Sequence, residues 1–275
     1  MPAPNSISAD KLARLTGTPS APILIDLREG AASTIPGARW RDPKTAADWG
    51  KALGGAAAVA FDQDGGASAA AAAAVLRTAG IDAETLYGGF ASWKAAALPI
   101  VRLDHLPPAK DDGRTWWITR ARPKVDRIAC PWLIRRFVDP DARILFVPPA
   151  DVLSVAAELG AEPFDISADG VFWSHRGERC TFDTMIEAFG LDGFPPLAQL
   201  AAIVRGADTD QLATAPEASG LLAVSLGLSR LYANDHEQLD AGMLIYDALY
   251  RWCRDAQGET HDWASHRPAG VKVEA

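Results

Sequence analysis

Side chains that could hold a metal ion are spread over the second half of this 275-residue chain. They comprise imidazoles, carboxylates and one thiol: His175, Cys180, Glu187, Asp208 and His236. Imidazole and carboxylate ligands suit iron, manganese or zinc, and a thiolate shifts the preference towards zinc or iron. No His-x-x-His or Cys-x-x-Cys spacing accompanies them. The set predicts a transition metal (Fe, Mn or Zn) in this half, with helix capping by the carboxylates as the alternative.

Basic side chains are concentrated just before this set, with six of them inside 17 residues. They are Arg120, Arg122, Lys124, Arg127, Arg135 and Arg136. Guanidinium groups bind tetrahedral oxyanions such as phosphate, sulfate or chromate through paired N–H donors. With Asp126 as the N-cap of a helix, Arg127 would lie in the first turn, where the helix dipole favours anions. We expect Arg127, with Arg135 or Arg136, to bind a small oxyanion. The alternative is a solvated helix face with arginine–carboxylate pairs.

Short apolar runs near the N-terminus predict the strands of a parallel sheet. The runs are residues 23–27, 57–60 and 85–87. Helical segments alternate with them, including an alanine-rich one at 68–79, as in an α/β domain. We place this domain at residues 1–104 and a linker that contains proline and glycine at 105–115.

The chain becomes mostly helical towards its C-terminus. One strand is predicted at residues 143–147. Predicted helices cover residues 126–137, 149–159, 181–189, 196–204, 216–227 and 235–254. The pattern predicts an α-rich α+β domain at residues 116–256, followed by a loose polar tail at 257–275.

Three motifs near the N-terminus resemble, in order, the landmarks of a single rhodanese domain: residues 25–29, 35–38 and 88–93. In that family a loop of inward-pointing N–H groups carries the cysteine whose thiolate takes up sulfur. The matching loop here has Asp62 at the cysteine position and also contains Gly65 and Ser68. A carboxylate cannot carry sulfane sulfur, so the resemblance implies a rhodanese-like scaffold that is catalytically degenerate. Its acidic loop is either a solvated remnant or, through Asp62 and Asp64, a cation site.

A longer stretch, from about Trp116 to Arg254, resembles the C-terminal domain of the chromate-resistance (ChrB-type) protein family. The matching motifs lie at residues 119–137, 164–166, 175–183, 203–208, 215–218, 226–229 and 235–236. The resemblance implies a link to chromate or oxidative stress, without a stated reaction. In regulatory members a DNA-binding region precedes this domain, whereas a rhodanese-like domain precedes it here.

Charge and hydropathy argue against nucleic-acid binding, membrane insertion and secretion. A net charge of −8 and a pI near 5.1 argue against a general affinity for nucleic acid. No apolar run approaches the roughly 20 residues that cross a bilayer, and no secretory signal is visible. The three cysteines are widely spaced and odd in number. We therefore expect a cytoplasmic protein with reduced thiols.

The resulting hypothesis is a chromate-resistance-associated stress-response protein, which binds a chromate-, sulfate- or phosphate-type anion beside a metal in its C-terminal domain. It is not a conventional rhodanese, and metal-dependent catalysis is left open. One alternative is a non-catalytic sensor of oxyanions or oxidative stress, in which ligand binding changes how the two domains pack. A second is a sulfurtransferase that uses Cys130 or Cys180, and a third is a DNA-binding regulator.

Overall fold

The computed structural model describes residues 5–259, and its N-terminal region is built on five parallel strands. In chain order its elements are β1 (Ser6–Ile7), α1 (Ala9–Leu15), β2 (Ile23–Asp26), β3 (Ser33–Thr34), β4 (Ala38–Trp40), α2 (Ala46–Gly50), β5 (Ala58–Phe61), α3 (Ala67–Thr78), β6 (Ala83–Leu86), α4 (Gly89–Ala95) and β7 (Val101–Arg102). The strand order is β1–β6–β5–β2–β4, with every neighbouring pair parallel. β3 and β7 form a separate antiparallel pair. The predicted parallel α/β architecture is confirmed.

The central strand β5 shows why this sheet is covered on both faces. All four of its residues are buried, which is typical of a parallel strand between two helical layers. One face packs against an apolar cluster that includes Leu12 and Trp93. The other packs against Ala72 and Leu76 of α3, whose alanine-rich face allows a close approach to the sheet.

The C-terminal region combines a small sheet with a larger group of helices. Its elements are β8 (Trp116–Arg120), α5 (Asp126–Leu133), β9 (Arg143–Val147), α6 (Val152–Leu159), β10 (Glu162–Pro163), α7 (Thr181–Ala188), α8 (Pro195–Asp208), α9 (Ala218–Leu231) and α10 (Asp235–Asp255). The three strands are parallel, in the order β10–β8–β9. The main apolar core surrounds Trp132 of α5 and includes residues of α7, α8 and α10. The predicted α-rich α+β class is confirmed.

The helix predicted at residues 126–137 is divided into two parts. α5 ends at Leu133, and a π-helical turn covers Ile134–Val138. Pro131 lies inside α5 and lacks the N–H that would bond to the carbonyl of Arg127. This missing bond favours a change of hydrogen-bonding pattern in the following turn.

The π-helical turn packs against the N-terminal region. The N–H of Gly37 donates to the carbonyl of Phe137 at 2.6 Å. The ring of Phe137 lies so close to Gly17 that a Cβ atom at position 17 would overlap it. Arg39 forms an ion pair with Asp141, with Nε 2.9 Å from Oδ2. The two regions therefore make direct polar and apolar contacts.

Residues 105–115 connect the two regions and contain a tight turn, in which the N–H of Gly113 donates to the carbonyl of Lys110 at 2.8 Å. The domain boundaries given above stay a prediction. Of the tail predicted at 257–275, residues from 260 onward lie outside the described part of the chain. Among the helices of residues 5–259, none is long and apolar enough to span a bilayer.

Candidate functional site

One histidine and three aspartates meet in the C-terminal region, and we call these four residues the acidic cluster. The Nε2 atom of His175 is 3.4 Å from Oδ2 of Asp126. It is 3.3 Å from Oδ1 of Asp165 and 3.3 Å from Oδ2 of Asp208. Sγ of Cys180 and carboxylate oxygens of Asp126 and Asp208 also lie within 4.8 Å of one another. The side chain of His175 is 39% exposed, so the cluster opens to solvent on the histidine side.

Separate segments bring the acidic cluster together. Asp126 is the first residue of α5, and Asp208 is the last residue of α8. Asp165 follows β10 with a left-handed φ of 51°, and His175 lies in the loop before α7. The helix dipole disfavours a carboxylate at a C-terminal end, so stability alone does not explain Asp208. The expectation that Asp126 is an N-cap is corrected, because Val125 holds that position.

The backbone that presents Asp126 is strained and held by three side chains. Val125 has a φ of 40°, which is rare for a β-branched residue and costs about 1–3 kcal/mol. Its N–H donates to Oγ of Ser225 at 2.9 Å, and its carbonyl accepts from the hydroxyl of Tyr246 at 2.7 Å. The side-chain amide of Gln238 donates to the carbonyl of Pro123 at 2.6 Å. Helices α9 and α10 therefore fix the start of α5.

Asp165 is oriented by two arginines and a threonine. Oδ2 lies 2.8 Å from a terminal guanidinium nitrogen of Arg120 and 3.1 Å from Nε of Arg127. Oδ1 accepts from the hydroxyl of Thr181 at 3.1 Å. The N–H of Thr181 donates to Oδ2 of Asp126 at 3.2 Å, so one residue links two of the carboxylates. These contacts fix the carboxylates without closing the exposed side at His175.

The charges of the acidic cluster perturb one another. Hydrogen bonds, first to Asp126 and then to Asp165 and Asp208, raise the pKa of His175 to about 12. Burial, and next the charge of Asp165, raises the pKa of Asp126 to about 7. Burial opposes ionisation of Asp165, but hydrogen bonds from His175 and Arg120 hold its pKa below the ordinary value. In the absence of a metal, the histidine is therefore an imidazolium among carboxylates.

The neighbouring thiols are buried and protonated. Burial, followed by the charge of Asp126, raises the pKa of Cys180 well above its ordinary value. The same two causes raise the pKa of Cys130. Sulfur transfer needs an accessible thiolate, so these surroundings disfavour the sulfurtransferase alternative.

The structure corrects two of the predicted metal ligands. Glu187 pairs with Arg179 on the surface, with Oε2 2.6 Å from the guanidinium. His236 lies edge-on to Phe146, with ring centroids 5.4 Å apart. Asp183, one turn before Glu187 on α7, contacts Sγ of Cys180 at 3.4 Å, whereas Glu187 contacts the surface residue Arg179 instead. Of the predicted set, only His175, Cys180 and Asp208 come together.

The predicted anion-binding arginines do not converge either. Arg127 lies at the acidic cluster, where Asp165 engages it. Arg136 is held by both carboxylate oxygens of Asp247, at 2.8 Å each. Arg135 is 3.9 Å from Asp240. Each of the three predicted arginines therefore lies near a carboxylate, and Arg120, rather than Arg135 or Arg136, lies beside Arg127 at Asp165.

In the rhodanese-like loop, the carboxylate of Asp62 accepts hydrogen bonds from the backbone N–H groups that surround it. Oδ1 of Asp62 accepts from the N–H groups of Gly65 at 2.7 Å and Gly66 at 2.8 Å. Oδ2 accepts from the N–H of Ala69 at 3.1 Å, and Ser68 is exposed. The carboxylate thus occupies a ring of N–H groups, whose positive ends repel cations. This geometry favours the scaffold interpretation over a cation site.

The C-terminal region is similar to known proteins. The family model described as ChrB, C-terminal domain, matches residues 117–253. Protein ChrB of Cupriavidus metallidurans (strain CH34) is 37% identical over 143 residues, which cover 52% of this chain and 42% of that protein. This chain thus spans less than half the length of that curated relative.

Solved structures align with the N-terminal part. A rhodanese-related protein from Thermoplasma volcanium is 20% identical, with a TM-score of 0.31, and the alignment covers 36% of this chain and 98% of that one. A full-length protein from Lactobacillus plantarum is 28% identical, with a TM-score of 0.32, and the alignment covers 36% and 88% of the two chains.

Proposed function

We propose that residues 117–253, which match the family model of the ChrB C-terminal domain and resemble a chromate-resistance protein, bind a divalent transition metal at the acidic cluster. The observation that carries the proposal is the position of His175 Nε2, 3.3–3.4 Å from an oxygen of each of three aspartates. Ligands at the usual 2.0–2.2 Å from zinc stand about 3–3.5 Å from one another. The distances from Nε2 match that spacing, and ligand atoms of Asp126, Asp165 and His175 lie within 4.8 Å of one another, so a metal ion could bind among them.

The chemistry of the ligand atoms limits the choice of metal. Three carboxylates and one imidazole suit manganese, iron or zinc, as expected from the sequence. The thiol of Cys180 is near enough to act as a further ligand once a metal lowers its pKa. Asp126 and Asp165, rather than Glu187 and His236, complete the proposed set.

The same charges support an oxyanion site next to the metal. Without a metal, three carboxylates are balanced by the imidazolium of His175 and the guanidiniums of Arg120 and Arg127. A divalent ion that displaces one proton from His175 leaves the site with one more positive charge. Arg120 is partly exposed beside His175, so an arriving chromate-, sulfate- or phosphate-type anion would meet it first.

A non-catalytic sensor is the second candidate, because the acidic cluster is connected to the contact between the two regions. Asp126 begins α5, and the π-helical turn that continues α5 accepts the N–H of Gly37 at Phe137. A ligand that shifts α5 would change this contact. Roles in a stress response and in the cytoplasm belong to the same proposal.

Metal analysis of the full chain tests the main proposal. The protein is stripped with a chelator and loaded separately with Mn²⁺, Fe²⁺ or Zn²⁺, and bound metal is measured after gel filtration. We expect one ion per chain, lost in His175→Ala and retained in Glu187→Gln, which removes a surface carboxylate instead. Substoichiometric metal in the wild-type protein, or equal binding by His175→Ala, would contradict the proposal.

The oxyanion is tested by calorimetry with sulfate on Zn²⁺-loaded and metal-free protein. Binding is expected only in the loaded form and is expected to weaken about tenfold in Arg120→Met. Equal sulfate affinity with and without Zn²⁺ would remove the oxyanion part and leave the metal site standing.

A further inference from the structure

A cavity that is separate from the acidic cluster lies between the N-terminal and C-terminal regions. It has a volume of about 490 Å³. We call it the interdomain cavity, and residues from both regions and from the connecting segment line it, among them Ala38, Trp40, Arg41, Leu106, Ala109 and Val138. Small-molecule sites typically have volumes of about 300–1,000 Å³ and often lie between domains. Size and location therefore both fit a ligand.

Most polar groups of the interdomain cavity already have partners. Asp26 accepts from Arg28 at 2.6 Å and from the hydroxyl of Thr34 at 2.7 Å. The hydroxyl of Thr115 donates to Asp139 at 2.6 Å. Because these groups satisfy one another, the remaining lining is dominated by apolar side chains. Such a surface gains free energy when an apolar molecule covers it.

Arg41 is the exception. Its guanidinium makes one hydrogen bond, to the carbonyl of the adjacent Trp40 at 2.9 Å. Within residues 5–259 it has no carboxylate at ion-pair distance, whereas Arg28 and Arg39 of the same cavity are paired with Asp26 and Asp141. Trp40 is 51% exposed beside it. An unpaired positive charge next to an apolar wall is complementary to a molecule with one acidic group and an apolar body.

We propose that the interdomain cavity binds a small organic anion, with its acidic group against Arg41 and its apolar body against Trp40 and Leu106. Neither the metal nor the oxyanion of the acidic cluster is required, since the two sites share no residue. Because Val138 of the C-terminal region also lines the cavity, a ligand that fills it contacts both regions and stabilises their packing.

The probe is 8-anilinonaphthalene-1-sulfonate, which carries one sulfonate on an apolar body and fluoresces when it is bound. Fluorescence titration of the full chain measures affinity, and equilibrium dialysis measures stoichiometry. We expect saturable binding of one probe per chain. Arg41→Met is expected to weaken it about tenfold. Ala109→Trp, at an exposed position in the lining, is expected to fill the cavity and abolish binding.

Arg230→Met is the control, because Arg230 is also basic but lies exposed on α9 and does not line the interdomain cavity. It is expected to bind the probe like the wild type. Unsaturable binding, unchanged binding in Ala109→Trp, or an equal loss in Arg41→Met and Arg230→Met would overturn the proposal. Zn²⁺ stoichiometry of Arg41→Met should remain that of the wild type, which separates this test from that of the metal site.

Discussion

Asp62 of the N-terminal region and Asp126 of the C-terminal region both accept backbone N–H groups, but their remaining surroundings differ. Asp62 receives two such bonds from Gly65 and Gly66 of its own loop and one from Ala69 in the first turn of α3. Asp126 receives one, from Thr181, and otherwise faces His175 and two further carboxylates. Backbone dipoles are permanent, whereas a proton on an imidazole can be exchanged for a metal ion. A carboxylate whose charge is balanced by backbone N–H groups, such as Asp62, therefore has no room for a further ligand, and we call this a closed site. A carboxylate whose charge is balanced by a titratable side chain, such as Asp126, can exchange that partner for a ligand, and we call this an open site.

The largest expected effect is the loss of metal from the open site in Asp208→Asn. Removal of one of three carboxylates should weaken Zn²⁺ binding at least about a hundredfold, as measured by competition with a chromophoric chelator. The free energy of unfolding of the metal-free protein should change by less than about 1 kcal/mol, because a carboxylate at the end of α8 opposes the helix dipole. The control is Asp210→Asn, two residues further on and exposed. A similar loss of Zn²⁺ affinity in Asp208→Asn and Asp210→Asn would contradict the assignment of the metal to the acidic cluster.

The next effect concerns pH. The folded-state pKa of His175, about 12, lies above its ordinary value of 6.5, so this group stabilises the metal-free protein fully below pH 6.5 and loses that contribution as pH rises. Burial penalises the ionised form of Asp126 and raises its pKa to about 7, so this group lowers the stability of the protein as pH rises from 3.8 to 7. We expect the melting temperature to fall above pH 6.5, less steeply in His175→Gln. An identical pH slope in both proteins would show that His175 is not the cause.

The closed site is tested by Asp62→Ala. Loss of three hydrogen bonds to a partly exposed carboxylate should lower the free energy of unfolding by about 1–3 kcal/mol in urea denaturation. Bound Zn²⁺ should not change, because the loop belongs to the other region. If Asp62→Ala does not change the free energy of unfolding, the N–H groups of the loop do not need an anion. Asp64→Ala, at an exposed neighbour, is the control.

The smallest effect is expected from Tyr246→Phe, which removes the hydroxyl bound to the carbonyl of Val125. Without this bond the strained residue can relax and move Asp126, so Zn²⁺ affinity should fall about three- to tenfold. Tyr87→Phe removes an exposed hydroxyl and should have no effect. If the melting temperature falls but Zn²⁺ affinity does not, Tyr246 supports the fold without positioning Asp126.

The parallel sheet could be predicted from the sequence because a continuous apolar run, such as residues 57–60, indicates a strand that is buried on both faces of its sheet. The sequence predicted about half of the acidic cluster. His175 and Asp208 were recognised by residue type, but Asp126 was interpreted as a helix cap because it begins α5. Asp165 was part of a family motif and was not selected, since its role depends on a left-handed backbone and on Thr181 from another segment.

Glu187 and His236 were predicted beside His175 from residue type and position on a helix, but the structure gives them other partners. Spacing along one helix shows which residues share a face of that helix, but it does not show which partner that face meets. Glu187 faces Arg179 and His236 faces Phe146. The packing of α7, α8 and α10 decides this, and that packing depends on the whole core around Trp132.

The packing of Phe137 on Gly17 has a consequence for separating the two halves. A fragment that began at residue 116 would expose the ring of Phe137 and leave its carbonyl without the N–H of Gly37. This exposed end would belong to the same helical segment that begins with Asp126. The N-terminal region thus covers an apolar surface of the C-terminal region, as one subunit of an oligomer covers another, but within a single polypeptide.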